Sequence, residues 1–379
     1  MTKFIFILVL IVFLAVGYYF LRQDPSQTVV VQNTATLLPS IPTVPKTCPA
    51  GFIKVPGNPN YNTADFCVMK YDAKCADTSN LSVGLQPKPG DPASGESKGH
   101  AYGVYKNNGA GSTCTANNSK QIVSTASGFP ITYIPESGSG TDNAKSYCAQ
   151  MGWHLINNNE WMTIARNVER VSANWCNTDG TGCVASPGAP GKVLARGHSH
   201  AQPDSALVAS PDDSQACFGT ATDGSNICGS PNSEKRTLTL VNGEVIWDFA
   251  GNVWQWVDGT VQRKDEPKSQ TNGRLDTGWL SSEFASGGLV ASTIIDNGHG
   301  SSLGYDSFRP SNSTWNSVNG VGRIFHYSAA NDTDTTVYGF IRGGQWNHGT
   351  VDGAFSMHLT PVPDKTNIND VGFRCVAPL

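Results

Sequence analysis

The sequence predicts a mixed α+β domain, rich in irregular structure and stapled by disulfides, behind an N-terminal membrane helix. Three observations predict it. Ten cysteines all lie downstream of an apolar N-terminal run. Only two stretches carry a helical period, and the remaining candidate strands are short, broken by Gly, Asn, Asp, Ser and Pro. Of 379 residues, 40 are Gly and 22 are Pro, while 39% are hydrophobic and 15% charged, which describes a loop-rich globular chain and not a disordered one. A net charge of −4 gives no electrostatic case for nucleic acid.

Residues Phe4 to Leu21 are almost wholly apolar, between Lys3 and Arg22. Such a run sits at the lower edge of what spans a bilayer. It ends in Gly17-Tyr-Tyr-Phe-Leu, bulky and aromatic, which suits an interfacial anchor better than the small-residue end of a cleaved signal peptide. We therefore assign 1–22 as a transmembrane anchor, with a signal peptide as the rival, and place the rest outside the cytoplasm in a single-pass arrangement. Residues 23–47 are rich in Pro, Thr, Ser and Gln without helical period, and read as an extended linker. No second linker follows, so 48–379 is one domain; the Pro/Gly-rich stretch 86–97 is a loop.

Within that domain the first helix is expected from about Asp142 to Met151. The second starts at Asn157, where Glu160 stands at capping-box spacing and Trp161, Ile164, Ala165 and Val168 repeat at helical intervals. Arg236–Val241 and Val245–Trp247 carry the best strand signals, joined by an Asn242-Gly243 turn. An even cysteine count after an export signal reads as disulfides, and no Cys-x-x-Cys occurs. Cys176–Cys183 and Cys217–Cys228 close short loops, and Cys48–Cys67 and Cys75–Cys114 follow by proximity. That leaves Cys148 with Cys375. The tryptophans Trp161, Trp247, Trp254, Trp256 and Trp346 are read as core before sugar-stacking platforms, because each large ring buries much area.

The C-terminal segment 341–375 says most about function. Gly343, Gly344, Trp346, Gly349, Gly353, Phe355 and Leu359 form a frame of small and apolar residues. Between them lie Gln345, Asn347, His348, Thr350, Asp352, Ser356 and His358, with no metal or triad spacing to order them. This pattern suits a rigid scaffold displaying a contact surface better than a site built around one reaction. His348 and His358 are accordingly read as surface contacts, and His198 and His200, in a Gly/Ser loop, as solvated.

Four motifs bring a resemblance. Asp248-Phe-Ala-Gly-Asn-Val-Trp-Gln-Trp resembles the Gly-Asn-x-Trp-Glu-Trp signature of the formylglycine-generating enzymes, the sulfatase-modifying factors. Trp153-His-Leu-Ile-Asn-Asn-Asn-Glu-Trp is similar to their Arg-Leu-Pro-Thr-Glu-x-Glu-Trp, and Arg342-Gly-Gly-Gln-Trp and Gly372-Phe-Arg-Cys resemble their closing motifs. The resemblance spans roughly Cys48 to the C-terminus and implies a C-type-lectin-like fold with long insertions. It also supports pairing of Cys148 with Cys375. Active relatives carry two copper-binding cysteines after the paired glycines, and 347–359 contains none. Without thiolates there is no soft site for copper, so no copper and no formylglycine activity are expected. Relatives bind calcium at positions matching Asp248, Gly251, Val253 and Gln255; the alternative is that Asp248 and Asn252 only bond the turn backbone.

A closer resemblance is to the variable proteins of diversity-generating retroelements, which share the lectin-like fold. Gly343-Gly344, Trp346, Gly349, Gly353, Phe355, Leu359, then Pro361 or Pro363, Asn367, Asn369 and Gly372-Phe373-Arg374 match their spacing. By that resemblance Gln345, Asn347, His348, Thr350, Val351, Asp352, Ser356, Met357 and His358 are candidate variable surface residues. The expected function is a membrane-anchored, surface-displayed binder of a protein or glycan on another cell, virus or surface, and not an enzyme. The alternatives are an oxygen-dependent metalloenzyme of the sulfatase-modifying type and a structural envelope or adhesion subunit.

Overall fold

The second helix shows how sequence becomes structure in this chain. In the computed structural model it spans Asn158–Val168 (α2), and Asn157 forms the full capping box with Glu160. The Asn157 side chain accepts from the Glu160 amide at 3.0 Å and the Glu160 carboxylate accepts from the Asn157 amide at 3.0 Å. Two otherwise orphaned donors are thereby satisfied at the helix start. Nearly the whole helix is buried, Trp161, Met162, Ile164, Ala165 and Val168 completely. The first helix, α1, is Ala144–Gln150, capped by Asn143, a little shorter than its expected span.

The structure describes residues 47–85, 105–106, 114, 119–178, 182–183, 186–200, 203–220, 228, 232–269, 280–285, 289–291, 293–327, 333–365 and 368–379. The expected anchor, the linker up to residue 46 and the 86–97 loop lie outside these residues. Among the described residues no helix is long and apolar enough to cross a membrane. Lys46–Leu379 forms one compact unit by its contacts.

The strands used below are β1 (Phe52–Val55), β2 (Phe66–Met69), β3 (His154–Leu155), β4 (Thr237–Thr239), β5 (Val245–Trp247), β6 (Trp254–Gln262), β7 (Leu280–Ser282), β8 (Ile324–His326), β9 (Val337–Arg342), β10 (Met357–His358), β11 (Val371–Phe373) and β12 (Cys375–Pro378). One sheet has the order β1-β2-β12-β3, all antiparallel neighbours. The larger sheet runs β7-β8-β10-β9-β6-β11. Its β6–β9 pair is antiparallel with a register shift between Val257 and Thr260, and β6–β11 is parallel. β4 and β5 form the expected antiparallel hairpin, shorter than the apolar run because only Thr237–Thr239 pairs. With two α-helices among the described residues, sheets and long irregular connections, the class is α+β.

All five expected disulfides are present: Cys48–Cys67, Cys75–Cys114, Cys148–Cys375, Cys176–Cys183 and Cys217–Cys228. Cys148–Cys375 joins α1 to β12 across 227 residues of sequence. All five tryptophans read as core are buried. Trp161 donates from Nε1 to the Ala354 carbonyl at 2.8 Å and stacks on Phe249 at 4.1 Å between centroids.

Arg342, at the end of β9, is fully buried. Its Nη1 donates to the Phe355 carbonyl at 3.3 Å and its Nη2 lies 3.7 Å from Met357 Sδ. Nε has no hydrogen-bond partner, and burial pulls the group down to about 9. Without a carboxylate, only these contacts and the Trp161 ring 6.0 Å away offset its desolvation cost.

Two outcomes follow. Replacing Cys148 and Cys375 together with Ala lowers the free energy of unfolding by about 4 kcal/mol, read by denaturant titration, because this bridge closes the longest loop. Arg342→Met, of similar volume and without charge, raises or leaves unchanged the melting temperature; a clear fall would show that the guanidinium stabilises the fold.

Candidate functional site

The C-terminal loop follows β9. Gly343 and Gly344 both hold φ near +94 to +95°, the left-handed region that favours glycine. At Gly344 an added Cβ would lie 2.2 Å from the Asp352 carboxyl carbon, so the position requires glycine twice over. Asp352 fills that space, fully buried, and accepts from the Gln345 amide at 3.2 Å through Oδ2. Ser356 Oγ donates to the Val351 carbonyl at 2.9 Å. The Gly349 amide donates to the Ser199 carbonyl at 2.7 Å, and the Arg323 amide to the Val351 carbonyl at 3.0 Å. Hydrogen bonds within the loop and from two other segments thus fix its backbone.

The nine candidate contact residues divide. Asn347 and Thr350 are exposed, and His348 and Val351 are half-buried. Gln345, Asp352, Ser356, Met357 and His358 are buried, which corrects the expectation that all nine face outward. The physical reason is the tight loop itself: Asp352 and Ser356 turn inward to satisfy its backbone, while Met357 and His358 belong to β10, central in the larger sheet. His358 stacks on Phe325 with centroids 5.1 Å apart and meets the Trp254 ring at 5.5 Å. Its Nδ1 lies 2.9 Å from Thr360 Oγ1. Burial, then the charges of His348 and His326, pulls His358 down to about 3.

His198 is likewise buried, against the expectation of a solvated loop histidine. Its Nε2 lies 2.9 Å from the Ser205 carbonyl, and burial with the nearby Arg236 pulls it to about 4. His200 is exposed and pairs with Glu234 at 2.6 Å. Asn252 holds both His198 and Leu207: its backbone N–H donates to the His198 carbonyl at 2.7 Å, and its side-chain Oδ1 accepts from the Leu207 backbone N–H at 2.8 Å. Between His198 and Leu207 in sequence, Asp204 accepts from Trp346 Nε1 and Asn347 Nδ2, each at 3.0 Å. Nothing in the sequence pattern marked Asp204, because its partners lie more than 140 residues away.

Two of the four candidate calcium positions, Asp248 and Gln255, are already engaged. Both Asp248 carboxylate oxygens accept from Arg236, at 2.7 and 2.6 Å. Gln255 Oε1 accepts from Arg374 at 2.7 Å while its Nε2 donates to the Asp248 carbonyl at 2.7 Å. Two guanidiniums therefore occupy the oxygens a hard cation would need. Among the described residues no group of three or more His, Cys, Asp or Glu is placed to hold a metal. Every cysteine is in a disulfide, so no thiol remains.

A separate cleft of about 480 Å³ lies between the start of α2 and the Asp296–Leu303 region. It contains two imidazole–carboxylate pairs, His154–Glu160 at 2.7 Å and His299–Asp296 at 2.9 Å, with Asp258 held by Lys145 at 2.7 Å. Its lining includes no Lys or Arg.

The chain matches no protein-family model, and comparison with curated proteins gave no match.

The pH dependence of stability follows from His358. Its folded-state value lies below the ordinary 6.5. Between about 6.5 and 3 the unfolded chain binds a proton that the folded chain does not, so stability falls as pH drops through that window. His358→Gln flattens this slope by up to about 1.4 kcal/mol per pH unit, checked by denaturation at several pH values.

Proposed function

We propose that this chain is an outward-displayed ligand-binding protein of C-type-lectin-like fold, related to the variable proteins of diversity-generating retroelements, and that the tip of the 344–352 loop is the centre of its contact surface. The observation that carries this reading is the contrast at the tip. Asn347 and Thr350 are exposed and polar, yet the backbone beneath them is pinned by Asp352, Ser199 and Arg323. A loop already ordered before it meets a partner has little conformational entropy left to lose on binding. The anchor at Phe4–Leu21 would hold the domain outside the cell, facing a protein or glycan on another cell, virus or surface.

Two exposed side chains do not make an interface, which takes about 800 Å² from each partner. The patch therefore extends from the tip onto His200 and Pro203, both exposed, whose neighbours Ser199 and Asp204 are held beside it by the Ser199–Gly349 and Asp204–Asn347 bonds. Of the five buried candidates, Asp352, Ser356, Met357 and His358 act as the frame of this surface instead of touching the ligand.

The test is a screen of the full-length chain against arrays of glycans and surface proteins, followed by variants. Asn347→Ala with Thr350→Arg removes binding to the hits and costs no more than about 1 kcal/mol of stability, the contribution of the exposed Asn347–Asp204 hydrogen bond, read by denaturation. Phe355→Ala, fully buried, lowers stability by about 3–5 kcal/mol. Undiminished binding by the tip double variant would sink the assignment.

A further inference from the structure

We infer that His348 is a proton-operated switch beneath the contact loop, setting which half of the Gln345 side-chain amide the loop offers to a ligand. This rests on the reading of the loop as a contact surface and adds a regulation to it.

Gln345 Nε2 lies 2.6 Å from His348 Nε2. An amide nitrogen has only N–H groups to give, so this imidazole nitrogen accepts and the ring proton sits on Nδ1. Nδ1 faces Asp352 Oδ1 at 3.7 Å, an electrostatic contact too long for a hydrogen bond. The amide oxygen of Gln345 makes no hydrogen bond among the described residues and is not one of the sealed, unpartnered polar atoms, so it reaches solvent. In this state the loop presents a carbonyl acceptor.

A second proton on His348 makes Nε2 a donor. Two N–H groups then face each other at hydrogen-bond distance, an arrangement relieved when the amide turns over. Gln345 Oε1 accepts from the imidazolium, and the NH2 group takes the outward place. The loop changes from acceptor to donor at one point, with no movement of its pinned backbone.

The surroundings of His348 decide where this happens. Its own loop supplies Asp352, and the turn before β11 supplies Asp370. Arg196 faces Asp352, and Lys365 faces Asp370. From the larger sheet His358 and, behind it, His326 add positive charge when protonated. Asp204 sits at the tip, bonded to Trp346 and Asn347. The rings of Trp254 and Phe325 also lie against it, at 5.8 and 6.1 Å. Burial favours the neutral ring, but the Asp352 and Asp370 carboxylates outweigh it and hold His348 above an ordinary histidine. Burial also pushes Asp352 up to about 6, against the pull of His348. The sign is therefore fixed. The donor state holds on the acid side, and the acceptor state takes over as pH rises through the raised value. The stability contributed by the imidazolium is present below 6.5 and lost in that same interval.

The test is a pH titration of the full-length chain labelled with ¹⁵N in histidine and glutamine, followed by magnetic resonance from pH 5 to 9. His348 Nε2 and the Gln345 NH2 group are expected to shift with one common midpoint, above that of an exposed histidine. Asp352→Asn lowers that midpoint by about one unit; if this variant does not fold, the wild-type titration alone decides. A Gln345 signal that stays flat while His348 titrates, or that moves with a different midpoint, overturns the switch. No ligand enters the measurement, so that failure leaves the contact-surface reading standing, and loss of the contact surface in the binding screen leaves the titration unchanged.

Discussion

The junction at Arg374 and Cys375 is the constraint on which the rest of the domain depends. Arg374 is fully buried and donates to Gln255 Oε1 at 2.7 Å, and to the Met69 carbonyl, Asp72 Oδ1 and the Trp247 carbonyl at 2.8 Å each. One guanidinium thus ties β2, the turn after it, the end of β5 and β6. The next residue, Cys375, is bonded to α1. The planar fork of arginine makes this geometry; a lysine offers the charge without five fixed donors. Asp72 is buried beside it, its carboxyl pushed up by burial and pulled down by Arg374. Beside this pair stands a second, Arg236 with Asp248.

Such pairs are weak evidence for stability, because the cost of desolvating both ions is close to the attraction between them. Their effect here is geometric. They select one arrangement among the many a Gly- and Pro-rich chain could reach. Lys74, buried with its Nζ on the Ala126 carbonyl at 2.7 Å, extends the same network to the segment after β2. The same charges occupy two of the four candidate calcium positions. Gln255 and Asp248 are committed to guanidiniums.

The loop after β9 inherits this rigidity. β9 and β6 pair along most of their lengths, and Gly343 and Gly344 leave the strand against Phe249 and Asp352. Trp161 on α2 reaches the Ala354 carbonyl from the other side. The frame residues singled out in the sequence, Trp346, Gly353, Phe355 and Leu359, are all interior. The alternation of frame and display read from residue types was therefore right for the frame. It failed for Gln345, Asp352, Ser356, Met357 and His358; for the four polar ones, polarity was taken as a sign of exposure. In a tight loop a carboxylate and a hydroxyl are the nearest groups able to satisfy inward-facing amides and carbonyls, so they turn in.

What the sequence determined by itself is the set of features that depend on near neighbours. The capping box at Asn157, the period of α2, the Asn242-Gly243 turn and the short disulfide loops all rest on interactions within a dozen residues. Counting then left Cys148 for Cys375. Only the tertiary structure decided which polar groups are buried. His198 and Asp204, the pairing of Asp248 with Arg236, and the inward turn of Asp352 all involve segments brought together by the fold. Burial and charge at those places come from distances in space, and a linear pattern of residue types carries no record of them.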